Sequence, residues 1–327
     1  MDNTNWTKLH GEAFVGARAL VTGGAGFIGS HLVDALAALG AKVVVLDDLS
    51  GGDERNLLQS RDRIELIRAS ILDQAALARA VAGCTYVFHE AARVSVPASV
   101  ADPRGYEQVN NAGTFNVLEA ARNAKVTRLM FAASSAAYGE SETLPKVETM
   151  PVLPQSPYAA NKVSGEAMVR AYAKSYELDA VSLRYFNIFG PRQNANSAYA
   201  GVIAAFAKKL VAGERPVITG DGTASRDFTY IDNTIHANLL AARSTNRLHG
   251  EVFNVAVGCR YTIKELAEKM AALVGRAELA PVYAPERPGD VKHSLGDISK
   301  AQRALGYQPI VDFEQGLKAT VAWYRGT

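Results

Sequence analysis

"ALVTGGAGFIGSHLVDAL", residues 19–36, decides how this chain folds. A short apolar run leads straight into glycines, and an amphipathic helical pattern follows. Gly24, Gly26 and Gly29 fit G-x-G-x-x-G, while Gly23, Gly26 and Gly29 fit G-x-x-G-x-x-G. Glycine there permits a tight turn, lets the backbone approach a pyrophosphate and allows close helix–sheet packing. The helix N-terminus then offers free N–H groups and a positive dipole end to the phosphates. Glycines alone also describe an ordinary strand–helix turn, so the next segment matters. "KVVVLDDL" (42–49) reads as a second strand, and Asp47 at its end stands about 20 residues past the last glycine. An acid in that place accepts hydrogen bonds from the adenosine ribose and repels a 2′-phosphate. NAD is therefore expected over NADP, although Arg55 and Arg61 nearby would suit the phosphate.

Outward from this loop, apolar runs alternate with helical stretches. "YVFHEAA" (86–92) and "RLMFAASS" (128–135) read as strands, while "AALARAVAG" (75–83) and "GTFNVLEAARNA" (113–124) read as helices. Val43–Leu46 and Leu129–Ala133 are apolar on both faces, as parallel strands covered by helices on each side must be. The expected class is α/β, a doubly wound parallel sheet of the Rossmann type. The pattern loosens after Phe189, where "GPRQNANSA", "AGERPVITGDGTASRD" and "APERPGDVKHS" bring turn residues and arginines. This predicts a dinucleotide-binding domain over 1–190 and a smaller C-terminal substrate lobe over 191–327. The two are interleaved, because 228–257 carries a helix-like and a strand-like segment that would return to the first domain.

Composition excludes other classes. Of 327 residues, 48% are hydrophobic and 21% charged, so a globular fold is expected throughout, and a net charge of +2 gives no footprint for nucleic acid. Cys84 and Cys259 cannot build a disulfide framework and are expected to be buried small residues. No C-x-x-C or histidine cluster suggests a metal. The N-terminal residues lack the basic start and apolar run of a signal peptide, and no apolar stretch reaches the 18 or so residues of a membrane span. A soluble cytoplasmic protein without membrane partner is the expectation.

"SPYAANK" (156–162) sets Tyr158 four residues before Lys162, on one face of a predicted helix. By itself the pair is common. It comes, however, with "VTGGAGFIGSHL", "LDDLSGG", "FHEAA", "ASSAAYG", "RYFNIFGPRQ", "GDGTASRDFTYIDN" and "RPGDVKHS". With these motifs in this order, nearly all of the chain after residue 17 resembles the extended short-chain dehydrogenase/reductase family, and within it the NAD-dependent nucleotide-sugar epimerases. The resemblance implies that Tyr158 and Lys162 are catalytic, and that Ser134, four residues before the tyrosine of "YG", joins them.

The chemistry agrees. A phenol with a pKa near 10 is a poor base at neutral pH. The Lys162 ammonium and a positive nicotinamide ring should favour phenolate and lower that value. Tyr158 would take a proton from a sugar hydroxyl as the carbon beneath it gives hydride to NAD, with Ser134 bonded to the same oxygen. Family dehydratases carry Asp–Glu directly after the Ser134 position, and related decarboxylases carry Glu. This chain has Ser135 and Ala136, so reversible oxidation through a 4-keto sugar, and hence 4-epimerisation, is what remains.

By the same resemblance, Phe27 and Ile28 sit at the cofactor pyrophosphate, Ser50 near the adenosine, and Ser70 and Ile71 at the adenine. Ala91, Ala92 and Arg93 line the nicotinamide side, and Asn110 and Phe186 complete the cofactor set. Many relatives have Asp in place of Ser70. Arg226 and Arg287 are implied as ligands of the substrate diphosphate, Asp290 of the nucleotide ribose, and Asn187 of a phosphate or the sugar; Ser95 and Val202 join them. Ser294, seven residues after Arg287, occupies a gate beside the sugar 2-position. A small residue there leaves room for an acetamido group, so UDP-GlcNAc and UDP-GalNAc are the expected pair, with UDP-Glc and UDP-Gal also used. A UDP-glucose or UDP-glucuronate epimerase is the alternative enzyme, and a non-catalytic dinucleotide-binding redox sensor the alternative outside enzymes. Family helices corresponding to 110–124 and 158–176 pair across a dimer, so a homodimer is expected.

Overall fold

A computed structural model describes residues 4–195, 201–286 and 291–326. β1 (Arg18–Thr22), β2 (Lys42–Asp47), β3 (Ile64–Arg68), β4 (Tyr86–His89), β5 (Arg128–Ser134) and β6 (Ala180–Tyr185) form one parallel sheet with the late strand Glu251–Val255. Their spatial order is 251–255, β6, β5, β4, β1, β2, β3. This is the doubly wound arrangement expected, with the order reversing between β1 and β4.

The sheet forms where it does because its strands are apolar on both faces. Residues 43–47 of β2 and all of β6 are buried. Leu20, Val44, Val87 and Leu129 point to one side, into a core shared with helices Gln74–Val81, Gly113–Asn123 and Pro157–Ser175. Ala19, Val21, Val43, Val45 and Met130 point to the other, against helices Phe27–Ala38 and Ile231–Arg243, and that core runs on into the second lobe. The alternation within each strand is what feeds both layers.

Local signals set the helix ends. Ser156 accepts from the Ala159 N–H and Pro157 opens helix 157–175, with the proline in the first turn where its missing N–H costs nothing. Thr262 with Glu265, and Asp312 with Gln315, make capping boxes for helices Ile263–Val274 and Phe313–Arg325. Helix 27–38, by contrast, starts at Gly26 with no side-chain cap.

In the second lobe, a short strand 282–284 pairs with 217–219, and 261–262 pairs with 225–226. Asp227, fully buried, ties that lobe together by accepting the N–H groups of Val257, Gly258 and Gly296. Burial pushes its carboxyl up to about 6 against those three bonds. Cys84 is buried as expected, and its thiol rises to about 11. Cys259 is exposed, contrary to expectation, because it follows Gly258 in the turn beyond the last sheet strand. Among the described residues, no helix is long and apolar enough to cross a membrane and no cluster of ligands could hold a metal.

Candidate active site

Beyond the C-terminal ends of the paired strands β1 and β4, where the strand order reverses, a cavity of about 390 Å³ opens. Gly23, Gly26, Phe27, Ile28 and Gly29 form its floor, Asp47 and Ser50 one end, Ser70 and Ile71 a side, and Ala91, Ala92, Arg93 and Ser95 the opposite wall. The glycines have no substitutes here. Gly23 has φ +68°, and a Cβ on it would come 2.7 Å from Ala91; a Cβ on Gly29 would come 2.2 Å from the Gly23 carbonyl oxygen. With the loop this tight, the uncapped N–H groups of helix 27–38 face the cavity, a cradle suited to a pyrophosphate.

Asp47 is placed by the loop itself. Its Oδ2 accepts the Ala25 N–H and its Oδ1 the Leu49 N–H, both at 2.8 Å. Burial raises its carboxyl while those two bonds lower it. Each oxygen keeps a lone pair for a ribose hydroxyl. Of the two cations that would have suited a 2′-phosphate, Arg55 is tied to Asp53. These residues fit NAD.

Asn110 and Phe186 are not in this wall. Asn110 lies in a π-turn, Gln108–Ala112, and both accepts the Arg93 N–H (2.8 Å) and donates to the Arg93 carbonyl (2.9 Å). It holds the 91–95 strip in place from behind. Phe186 is wholly buried, packed on Tyr138 and Ala256. Arg93 reaches Asp102 at 2.6 Å with its guanidinium 4.6 Å from the centre of the Tyr106 ring.

β5 ends at Ser134, and helix 157–175 brings Tyr158 and Lys162 beside it. The Ser134 hydroxyl lies beside the Tyr158 phenol, near enough to favour its phenolate, and accepts the Ala136 N–H at 3.2 Å. Lys162 is buried, its Nζ donating to the Ala132 carbonyl at 2.7 Å and lying 5.0 Å from the Phe131 ring centre. Burial lowers the ammonium to about 8, with Glu90 and Glu166 supporting the charge. The phenol of Tyr158 does not behave as expected from its sequence neighbours. Burial raises it, and the Ser134 hydroxyl beside it lowers it by less. The desolvation cost of a phenolate outweighs what the chain alone supplies.

A second cavity of about 290 Å³ adjoins the first through Gln193 and Gly201, which line both. It brings together Asn187, Val202 and Arg226, as anticipated, with Lys292 and Glu286. Arg226 donates to the carbonyls of Ser225 and Lys292, both at 3.0 Å. Ser294 sits at its edge, 3.4 Å from the Asn187 Nδ2. Ser95 belongs to the cofactor-side wall rather than here, as the cap of helix Val96–Ala101. Arg287 and Asp290 lie outside the described residues.

One residue in the wall escaped the sequence reading. Glu90, directly after β4, lines the cofactor cavity and accepts the Tyr185 hydroxyl at 2.7 Å. It lies inside the "FHEAA" motif, but its partner is 95 positions away.

Residues 19–256 match the NAD-dependent epimerase/dehydratase family, and the chain belongs to it. It is 40% identical to the UDP-glucose 4-epimerase of Mycolicibacterium smegmatis, over 94% of this chain and 98% of that one. Among solved structures, the UDP-N-acetylglucosamine 4-epimerase from Methanobrevibacter ruminantium, in complex with UDP-N-acetylmuramic acid, superposes with a TM-score of 0.91 at 42% identity, covering 96% of this chain and 99% of the other. The UDP-glucose 4-epimerase of Thermus thermophilus, in complex with NAD, gives 0.85 at 38% identity, covering 95% and 99%. NAD is the cofactor of the family and of this protein.

Proposed function

We propose that the protein is a UDP-sugar 4-epimerase that inverts C4 by oxidising it and reducing it again on the other face. UDP-GlcNAc and UDP-GalNAc are its preferred pair, and UDP-Glc and UDP-Gal are further substrates. The observation that carries this reading is the placing of the Ser134 hydroxyl beside the Tyr158 phenol and of buried Lys162 one helical turn on, with no carboxylate at positions 135 and 136. Tyr158 takes the proton of the 4-hydroxyl and returns it after the sugar has turned. Ser134 holds the same oxygen while it is a carbonyl. NAD supplies the acceptor and donor of the hydride. Lys162 and the oxidised nicotinamide together are the positive charges that favour the phenolate of Tyr158 against its burial. Elimination of water would need a further acid and base after Ser134, and Ser135 and Ala136 are neither.

Substrate grip comes from Arg226 and Lys292, both lining the second cavity and suited to a diphosphate. Preference for the acetylated sugar rests on Ser294, whose small side chain beside Asn187 leaves space a tyrosine would fill. The test compares kcat/KM for UDP-GlcNAc and UDP-Glc in the wild type and Ser294→Tyr. The variant is expected to lose the acetylated sugar selectively and keep UDP-Glc. Equal damage to both sugars, or no wild-type turnover of UDP-GlcNAc, refutes the gate.

The same reading includes a homodimer. Phe115 on helix 113–123 is 48% exposed, and Tyr172 on helix 157–175 packs edge-on against it. Two helices presenting such a face can pair with a second copy. Sedimentation should give twice the chain mass, and Phe115→Asp should shift the protein toward monomer.

A further inference from the structure

The cofactor cavity carries four ionisable groups in its wall: Asp47, Asp48, Glu90 and Arg93. Three have evident duties. Asp47 is tied to the glycine loop, Asp48 accepts from Ser50, and Arg93 pairs with Asp102. Glu90 has none in the reaction described above, yet its position is well defined. Its N–H donates to the Thr22 carbonyl, at the start of the glycine loop. From there its side chain crosses the end of β5 to reach β6, where the Tyr185 hydroxyl donates to it and in turn accepts from Asn238 at 2.8 Å. Tyr185 is the register partner of Ser134. The carboxylate therefore stands at the Ser134 end of the cavity, away from Asp47, with its Oε1 taken by Tyr185.

We propose that Glu90 is the counter-charge to the oxidised nicotinamide, setting how strongly this protein prefers NAD⁺ over NADH. The oxidised ring carries a positive charge and the reduced ring none, so a carboxylate in that part of the wall stabilises one form and not the other. An enzyme that must give its hydride back at every turnover needs the two forms kept in balance, and a fixed negative charge in the wall is one way to set it. The inference rests on NAD as cofactor and on hydride transfer, and not on which sugar is the substrate.

The charge is itself pH-dependent. Burial pushes the Glu90 carboxyl up to about 7, opposed by the Tyr185 bond and by Lys162. The groups around it are Lys162 and Tyr158 from helix 157–175, Tyr185 from β6 and His89 from β4. Behind Lys162 lies Glu166, closed in a buried ion pair with Arg184. Burial drops His89 to about 3, so it stays neutral through the range that matters. Of the groups in that set, Lys162 changes charge near pH 8 and Glu90 near pH 7, and substitution of Glu90 separates the two. The carboxylate, and with it the preference for NAD⁺, is present above that pH and fades as pH falls through it.

Binding to purified protein tests this without any sugar. NADH is titrated by its fluorescence and NAD⁺ by displacement, at pH 6 and pH 8.5. In the wild type, the ratio of NAD⁺ to NADH affinity should be higher at pH 8.5. Glu90→Gln keeps the shape and the Tyr185 contact, and should lower that ratio roughly tenfold at pH 8.5 and remove the part of its pH dependence centred near pH 7, leaving the part due to Lys162 near pH 8. Tyr185→Phe, a second variant, keeps the charge but removes the bond that favours it, so the rise in NAD⁺ preference should move to higher pH. An affinity ratio in Glu90→Gln equal to the wild type at both pH values, or a rise unmoved in Tyr185→Phe, overturns the proposal. Loss of epimerase activity on every UDP-sugar, with the affinity ratios as expected, would overturn the proposed function and leave this inference standing.

Discussion

Tyr158→Phe is expected to lower kcat by about 10²–10⁴ on the best UDP-sugar, with KM little changed. The substitution removes one oxygen from a half-buried side chain whose ring position is set by the capped helix 157–175, so the fold and the substrate cavity stay as they are. What is lost is the atom proposed to exchange a proton with the 4-hydroxyl. Ser134 still holds the sugar oxygen, but a serine hydroxyl is no base. Full turnover in Tyr158→Phe would remove Tyr158 from the mechanism. The pH dependence checks its neighbour. Because burial lowers the Lys162 ammonium to about 8, the cation is present below that pH and lost above it. Wild-type rates should therefore fall on the alkaline side of pH 8. Lys162→Met should slow the reaction and move its optimum to higher pH, since the phenolate then forms without a cation beside it.

Arg128→Met is expected to cost about 3–5 kcal/mol of stability, the range for breaking a buried ion pair by removing one partner. Arg128 opens β5 and is almost wholly enclosed. Its guanidinium binds Asp179 through two nitrogens and donates to the carbonyls of Ala241, Ala242, Ser244 and Asn246. Those carbonyls lie in the last turn of helix 231–243 and just beyond it, where a cation both satisfies bare oxygens and meets the negative end of the helix dipole. Met leaves the Asp179 Oδ2 and four carbonyls without that donor. Urea unfolding with an unchanged slope should show the loss in the midpoint; a change below about 1 kcal/mol would show the cluster is dispensable.

The sheet, the glycine loop and the nearness of Ser134, Tyr158 and Lys162 were legible because each rests on local signals. Apolar runs of the right length make strands, glycines after a strand make the loop, and a four-residue spacing makes a shared helix face. The cores of β1, β2 and β5 needed nothing more. Glu90, Arg128 and the duty of Asn110 were not legible, since each depends on a partner the chain returns to the sheet only in three dimensions. Glu90 reads as one more polar residue at a strand end until Tyr185 is placed over it. Asn110 carries the expected residue type but acts on the Arg93 backbone instead of lining the cavity. The raised phenol of Tyr158 was missed for a related reason: a sequence shows which charges are near, but not how much water has been removed.

The strand Glu251–Val255 completes the sheet beside β6, and the Arg128 guanidinium is satisfied only when residues 241–246 arrive. During synthesis the ribosome therefore releases five of the six earlier strands with a full set of neighbours while β6 still presents an open edge. Between β6 and its last neighbour the chain also releases strands 217–219 and 225–226, whose partners 282–284 and 261–262 come later still. An unpaired parallel edge and an unmet buried cation persist through that interval, which makes the nascent chain a natural client for chaperones that shield exposed strands. Closing loops over such separations slows folding.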